Sequence, residues 1–389
     1  MLKNKFMIPL SVPHLNGNEW TYVKDCLDTG WISSAGAYVN KFEQQVADYV
    51  GAKYGIACMN GTVGLHIAQI LSGVTSDDHV IAPNITFIAT LNAIKYTGAS
   101  PILVDVNSTD WQMDLDLLEE YLTGNSFTIE TELGTFTFNK STNKRIKAIM
   151  PVHVLGNMGD IDRLTAIAKK YHLDIIEDST EALGSFYKNK HAGTFGKFGV
   201  FSFNGNKIIS TGGGGVMVTN DEELAKKAKH LTTQAKTSQM EYIHDEIGYN
   251  YRLVNILAAI GVAQMEQFPD LLENKKKMDA FYRNELTGVG DIVFQAVSID
   301  VSVNCWLFTF KTNHMRGLLE FLNSNGVQSR PFWMPMNQLE MFKEDIYITK
   351  NNNSSGIYET CISIPSSGGI TKEEMIEVVE QIRNFYLTN

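Results

Sequence analysis

The sequence predicts an α/β protein: a large domain built on a mostly parallel, doubly wound sheet, followed by a smaller C-terminal α+β domain. Three observations predict it. Short apolar segments alternate with helical ones from residue 50 to 220, as parallel strands joined by crossover helices do. The residues best suited to chemistry, Gly61, Phe87, Asp178, Ser202 and Lys207, fall at strand ends or just beyond, where such sheets hold their ligands. The chain has 389 residues, too many for one ordinary compact domain. The expected division is a large domain at 1–268, with a hairpin insert at about 125–147, and a small domain at 269–389.

Ile8 to Pro13 opens extended, because each proline biases its predecessor away from helix. Asn18 to Thr29 places Trp20, Val23, Cys26 and Leu27 at helical spacing and ends near Gly30. A loop over 30–36 and an amphipathic helix from Val39 to Val50 follow. Tyr54 to Met59 reads as a strand, Asn60 to Gly64 as a glycine turn and Leu65 to Leu71 as a helix. That succession suits a phosphate, since first-turn N–H groups lack partners and the helix dipole favours an anion. Asn60 or Thr62 equally suits a plain N-cap.

Val80 to Pro83 and Pro101 to Val104 are expected strands, with a helix from Asn84 to Ala93 between them. Phe127 to Thr131 and Thr135 to Phe138 alternate around Glu132-Leu133-Gly134, a hairpin pattern. Ile146 to His153 resumes the sheet. His153 at its end reads first as a structural histidine and, alternatively, as a substrate contact. Leu164 to Tyr171 is a helix, and Asp174 to Asp178 a buried strand ending in acids. Gly199 to Phe203 is a short strand that breaks at Asn204-Gly205-Asn206, a turn signal. Asp221 to Leu231, Val254 to Phe268 and Leu271 to Leu286 are expected helices, the last two parted by Pro269. Asn304 to Thr312 is an expected strand.

Composition removes several function classes. Hydrophobic residues are 44% and charged residues 20% of the chain, the balance of a soluble globular protein. A net charge of −10 argues against a nucleic acid or a membrane surface as partner, so an anionic ligand would need a local basic or N–H-lined pocket. Cys26, Cys58, Cys305 and Cys361 are scattered without metal-ligand spacing, so no metal is expected and a reducing, cytoplasmic setting is. No signal peptide is expected at Met1 to Met7, and no stretch approaches the roughly 20 apolar residues of a membrane span.

Lys207 lies just past a strand end and is followed by four consecutive glycines, Gly212 to Gly215. A solvated surface lysine needs no such setting. A lysine that forms a Schiff base must lose its proton, and burial favours the neutral amine. Upstream, Asp178 supplies a carboxylate. Pyridoxal phosphate (PLP) uses both groups, a lysine for its aldehyde carbon and a carboxylate that keeps the ring nitrogen protonated. Each alone is weak, a surface lysine or an N-cap acid; the pair with these flanks is specific.

These segments resemble the DegT-type sugar aminotransferases, fold type I PLP enzymes. The family reads Glu-Asp-Ala-Ala-Gln-Ala-x-Gly-Ser, then Phe-Ser-Phe-x-x-x-Lys, then Thr-Thr-Gly-Glu-Gly-Gly; here the matches are Glu177 to Ser185, Phe201 to Lys207 and Ser210 to Gly215. The resemblance extends from about Ile8 to the C-terminus. The hairpin insert is similar to that of the branch making 4-amino-4,6-dideoxy sugars of the legionaminic-acid and bacillosamine type.

The resemblance implies PLP on Lys207, Asp178 at the ring nitrogen, Gly61, Thr62 and Ser202 at the phosphate, and the Phe87 ring stacked on the cofactor. Gly248 to Arg252 matches Gly-Tyr-Asn-Tyr-Arg, whose asparagine reaches the partner's phosphate, so it implies a homodimer with shared sites and places Asn250 and Arg252 in trans. Trp31, Ser33 and Trp333 become candidate substrate contacts, although Trp31 also suits a packed connector. Glu181 stands where Gln or His is commoner beside the cofactor's phenolic oxygen, and Met334 and Asn337 replace the usual Lys and His of Arg-Pro-x-Trp-Lys-Pro-x-His. The implied reaction transfers an amino group from L-glutamate to a nucleotide-linked 4-keto-6-deoxy sugar. A UDP-linked N-acetylhexosamine is placed first and GDP-4-keto-6-deoxymannose, the perosamine type, second. A PLP-dependent dehydratase would carry His in place of Lys207, and a non-catalytic PLP-binding protein would lack the lysine or the acid.

Overall fold

The computed structural model describes residues 7–238 and 240–388. Helices α1 (Glu19–Thr29) and α2 (Ala37–Val50) each stop at a glycine in the left-handed region, Gly30 at φ 75° and Gly51 at φ 76°. The sheet then builds through β1 (Tyr54–Cys58), α3 (Gly61–Leu71), β2 (Asp78–Pro83), α4 (Ala89–Tyr96) and β3 (Ser100–Val104). Helix α5 (Leu115–Asn125) leads into a hairpin of β4 (Ser126–Thr131) and β5 (Gly134–Asn139), at the place of the expected insert. Next come β6 (Arg145–Ile149), α6 (Ile161–Lys170), β7 (Asp174–Asp178), the short pair β8 (Phe186–Tyr187) and β9 (Lys190–His191), then β10 (Phe198–Ser202), β11 (Gly215–Thr219) and α7 (Glu222–Thr232).

The C-terminal part begins on α8 (Asn255–Leu286) and continues through β12 (Val293–Phe294), β13 (Val301–Ser302), β14 (Thr309–Lys311), α9 (Met315–Ser324), β15 (Arg330–Pro331), β16 (Ile346–Ile348), α10 (Asn353–Thr360), β17 (Cys361–Ser363) and α11 (Lys372–Thr388). Strands β12, β14, β17 and β15 make a sheet of their own, and β13 pairs with β8. Strand β16 instead returns to the main sheet beside β3. Residues on both sides of 269 therefore share one sheet.

The main sheet has ten strands, eight of them in the order β1-β11-β10-β7-β6-β2-β3-β16. It is parallel from β10 to β16, and only β11 runs against its neighbours on this path. Strands β2 and β11 are buried along their whole length, as strands covered on both faces must be. No helix among the described residues is long and apolar enough to cross a membrane.

Three expected boundaries differ. The helices expected on either side of Pro269 are one helix of 32 residues. Proline removes one N–H from the ladder, but Phe268, Leu271 and Leu272 are buried around it and hold the helix against the core. Strand β6 stops at Ile149, short of Pro151, which has no N–H to give a ladder. The strand expected over 304–312 shrinks to β14 because Cys305 sits at φ 56° and the Asn304 amide is turned to the carbonyls of Glu181 and Leu183, at 2.7 and 2.9 Å.

Candidate active site

Strands β1, β7 and β10 end along one edge of the sheet, and a cavity of about 530 Å³ opens there. The β1 end passes into Asn60, whose side chain caps α3 by accepting the Val63 N–H at 3.0 Å. Gly61 and Thr62, in the first turn of α3, line the cavity. A Cβ at Gly61 would lie 2.9 Å from Thr180 Cγ2 and 3.2 Å from Ser202 Cβ, so only glycine lets this turn close on its neighbours. Ser202, the last residue of β10, lines the same wall.

Asp178 closes β7 and is 3% exposed. Its Oδ2 accepts from Thr90 Oγ1 at 2.6 Å, and its Oδ1 accepts from Thr180 Oγ1 at 2.7 Å and Thr180 N at 3.2 Å. Three donors thus converge on this carboxylate and fix its orientation beside the cavity. The next residue back, Glu177, points to the opposite face of the strand. There it accepts from Gly193 N, Phe195 N and Gly196 N and meets His153 Nε2 at 2.9 Å. Burial works to raise the Glu177 carboxyl, but His153 and these N–H groups outweigh it and hold it below its ordinary range.

Lys207 lines the cavity, its Nζ 3.8 Å from the centroid of the Trp306 ring. Burial pulls this amine down, against Glu181 and Asp178, which favour its charged form. Glu181 shares the cavity. Burial pushes its carboxyl up to about 7, opposed by Lys207 and by the Leu155 N–H, which donates to Oε2 at 2.7 Å. Leu155 holds that N–H in place from a left-handed conformation, φ 59°. The Phe87 ring, 55% exposed, stands at the mouth.

The structure therefore brings together Gly61, Thr62, Phe87, Glu181, Ser202, Lys207 and Trp333 as cavity lining, with Asp178 behind Thr180. Other expectations lie elsewhere. His153, 1% exposed and paired with Glu177, does not line the cavity, a correction that follows from its place on the other face of the sheet. Trp31 and Ser33 are exposed on the loop that docks its carbonyls on Asn255, and do not line it within one chain. Asn250 is exposed and bridges Thr233; Arg252 bridges Cys58, its Nε buried without a partner. Asn337 lies outside the lining and exchanges two hydrogen bonds with Asn84, at 2.8 and 2.9 Å, so its departure from the family's His is absorbed by a structural amide pair.

Sequence reasoning missed Thr90, Thr180 and Trp306, and met Arg330 only as the first residue of the matched Arg-Pro-x-Trp stretch. Thr180 stands two residues beyond Asp178, and that spacing is the signal an Asx-type hydrogen bond leaves. Trp306 carried no such signal.

The residues present fit PLP. A desolvated lysine amine, a glycine cradle at a helix N-terminus and an exposed aromatic ring line one cavity, with a carboxylate fixed by three donors behind Thr180. The sequence pattern of the DegT/DnrJ/EryC1/StrS aminotransferase family matches residues 13–383. The chain is 38% identical to the GDP-perosamine synthase of Escherichia coli O157:H7 over 97% of its own length and 98% of the relative's. It is 34% identical to the GDP-perosamine synthase of Vibrio cholerae over 98% and 99%. A crystal structure of a DegT DnrJ EryC1 StrS aminotransferase from Brucella abortus superposes with a TM-score of 0.86 at 25% identity, covering 95% of each chain. The chain thus belongs to the DegT/DnrJ/EryC1/StrS aminotransferase family and is a PLP-dependent sugar aminotransferase.

Proposed function

We propose that this enzyme transfers the amino group of L-glutamate to C4 of GDP-4-keto-6-deoxymannose, the perosamine-forming reaction. The observation that carries this is the 38% identity, over almost the full length of both chains, to a protein named GDP-perosamine synthase. It displaces the UDP-linked N-acetylhexosamine that the hairpin insert favoured.

PLP, when bound, supplies an electron sink for the pair left on the substrate carbon as its C–H bond breaks. Lys207 would hold the cofactor and, once released, would take the glutamate α-proton as a neutral amine and later deliver a proton to sugar C4 as the ammonium. Its burial supports that role. Asp178 would keep the ring nitrogen protonated. Gly61 N, Thr62 N and Ser202 Oγ would hold the phosphate, Phe87 would lie against the ring, and Glu181, in its protonated form, would serve the phenolic oxygen. Trp333 lies against the sugar nucleotide.

The active unit is a homodimer in which Asn250 supplies the partner's phosphate site, and Arg252, Trp31 and Ser33 line the partner's entrance. This is supported by the exposure of Asn250, Trp31 and Ser33 outside their own chain's cavity.

The test offers purified enzyme and L-glutamate either GDP-4-keto-6-deoxymannose or UDP-4-keto-6-deoxy-N-acetylhexosamine, with the product read by mass spectrometry. The GDP sugar is expected to be aminated far faster. Amination of the UDP sugar alone would overturn the assignment.

A further inference from the structure

The cavity wall opposite the strand ends is made by β15 and the residues after it. Arg330 pairs with Ser363 across the sheet, and Arg330, Pro331, Phe332, Trp333 and Ser363 all line the cavity. The lining holds three charged side chains, Glu181, Lys207 and Arg330. Two of them oppose each other in the buried floor, where desolvation drives both toward their neutral forms. Arg330 stands apart from that pair. The residue is exposed, its one side-chain hydrogen bond among the described residues runs from Nη1 to the carbonyl of Ser329 at 3.0 Å, and none of their carboxylates forms an ion pair with it. Several other arginines, Arg145, Arg163, Arg283 and Arg383, are engaged with acids.

Both reactants of the transamination are anions, and both must bring one carbon to the same place above Lys207. A chain with net charge −10 repels them unless the cavity supplies a fixed cation. Lys207 cannot be that cation, because its chemistry requires the neutral amine. Arginine keeps its charge at any working pH, and its planar fork matches a carboxylate or a phosphate with two parallel N–H bonds.

We propose that Arg330 is the oxyanion anchor of this cavity, holding a carboxylate of the amino donor or the diphosphate of the sugar nucleotide. The inference rests on the transamination assigned above, and it adds a specificity-determining residue to that site. The shared chemistry is a tetrahedral or planar oxyanion; the test separates its two sources.

Arg330→Gln and Arg330→Lys are compared with the wild-type holoenzyme in two arms. The donor arm measures KM and kcat for conversion of the bound cofactor by L-glutamate, followed by its absorbance, and repeats it with L-glutamine and L-isoglutamine, each lacking one carboxylate. The nucleotide arm measures Kd by calorimetry for GDP, UDP and guanosine. Loss of a charged hydrogen-bond partner is expected to weaken the affected arm roughly ten- to a hundredfold in KM or Kd, most for Gln and less for Lys.

The variant should also lose discrimination. If the donor is held, Arg330→Gln treats L-glutamate and one of its amides alike. If the diphosphate is held, it binds GDP no better than guanosine. A general structural defect would lower kcat and melting temperature without removing that discrimination. Because UDP is included, a wrong nucleotide assignment shows as a UDP preference of the wild type and leaves the Arg330 comparison intact. Wild-type KM for L-glutamate together with wild-type Kd for the preferred nucleotide in Arg330→Gln would overturn the proposal.

Discussion

Asp178 and Lys207 are supported in opposite ways. Asp178 is surrounded by donors, two hydroxyls and one N–H, that fix both of its carboxylate oxygens. Lys207 is stripped of water and set against the face of Trp306, with acids acting on it only from a distance. Replacing Asp178 by Asn keeps the shape and removes the charge. The Thr90 and Thr180 hydroxyls can rotate to suit an amide, so the fold is expected to survive while the counter-charge for the ring nitrogen is lost. Activity of Asp178→Asn at saturating PLP and glutamate is expected to fall by the equivalent of about 3–5 kcal/mol, roughly a hundred- to several-thousandfold. A turnover near that of the wild type would refute the role of Asp178. Both residues were legible in the sequence because strand ends, acids and a glycine run leave local marks. Trp306 was not, because what turns its ring under Lys207 is remote: its Nε1 donates to the Asn206 carbonyl, and Asn304 beside it is tied to the turn after Asp178.

At the scale of elements, α8 shows what proline alone does not decide. The helix continues past Pro269 and so carries Lys275 into the core, 1% exposed. There Nζ donates to the carbonyls of Trp306, at 2.6 Å, and of Ser366, tying the Trp306 loop to the segment after β17. A neutral amine still has two N–H donors for these two carbonyls. Burial pulls the Lys275 amine down to about 7 from its ordinary 10.5. Between those values the unfolded chain holds a proton that the folded chain has released. Stability owed to Lys275 therefore rises with pH across that window, and is lost as pH falls through about 7. The melting temperature of the wild type, measured against Lys275→Met, is expected to gain on the variant as pH is raised from about 7 towards 10. A gap that stays flat or closes over that range would mean that Lys275 keeps its proton in the folded state. The sequence placed Leu271 to Leu286 on a helix correctly, but nothing local sets Lys275 apart from Lys276 and Lys277 beside it. Only the crossing of two distant loops over that turn buries it.

For the whole molecule, the alternation of strands and helices was legible because each parallel crossover repeats the same pattern. The return of β16 to the edge of the main sheet was not, since three residues, Ile346 to Ile348, leave no periodic trace. The placing of Asn250 follows the same division between local and global. Its motif marked it as functional, yet within one chain it is exposed, bridges Thr233 and does not line the cavity that Gly61 and Thr62 share. A phosphate held by helix N–H groups and Ser202 Oγ retains acceptor capacity, and an amide from a neighbouring chain can fill it. The decisive experiment is complementation between two inactive variants. Lys207→Ala lacks the amine, and Asn250→Asp would set a like charge against a phosphate in the partner's site. In a heterodimer with sites shared across the interface, one site combines the intact Lys207 of one subunit with the intact Asn250 of the other, and the second site is doubly impaired. Random exchange of equal amounts is then expected to restore roughly a quarter of the wild-type turnover, since half of the dimers are mixed and each holds one good site. If Asn250 serves its own chain, every site in the mixed dimer carries one lesion and turnover stays at the level of the parents. Native mass spectrometry confirming the mixed dimer, with no activity returned, would refute sharing of the site between subunits.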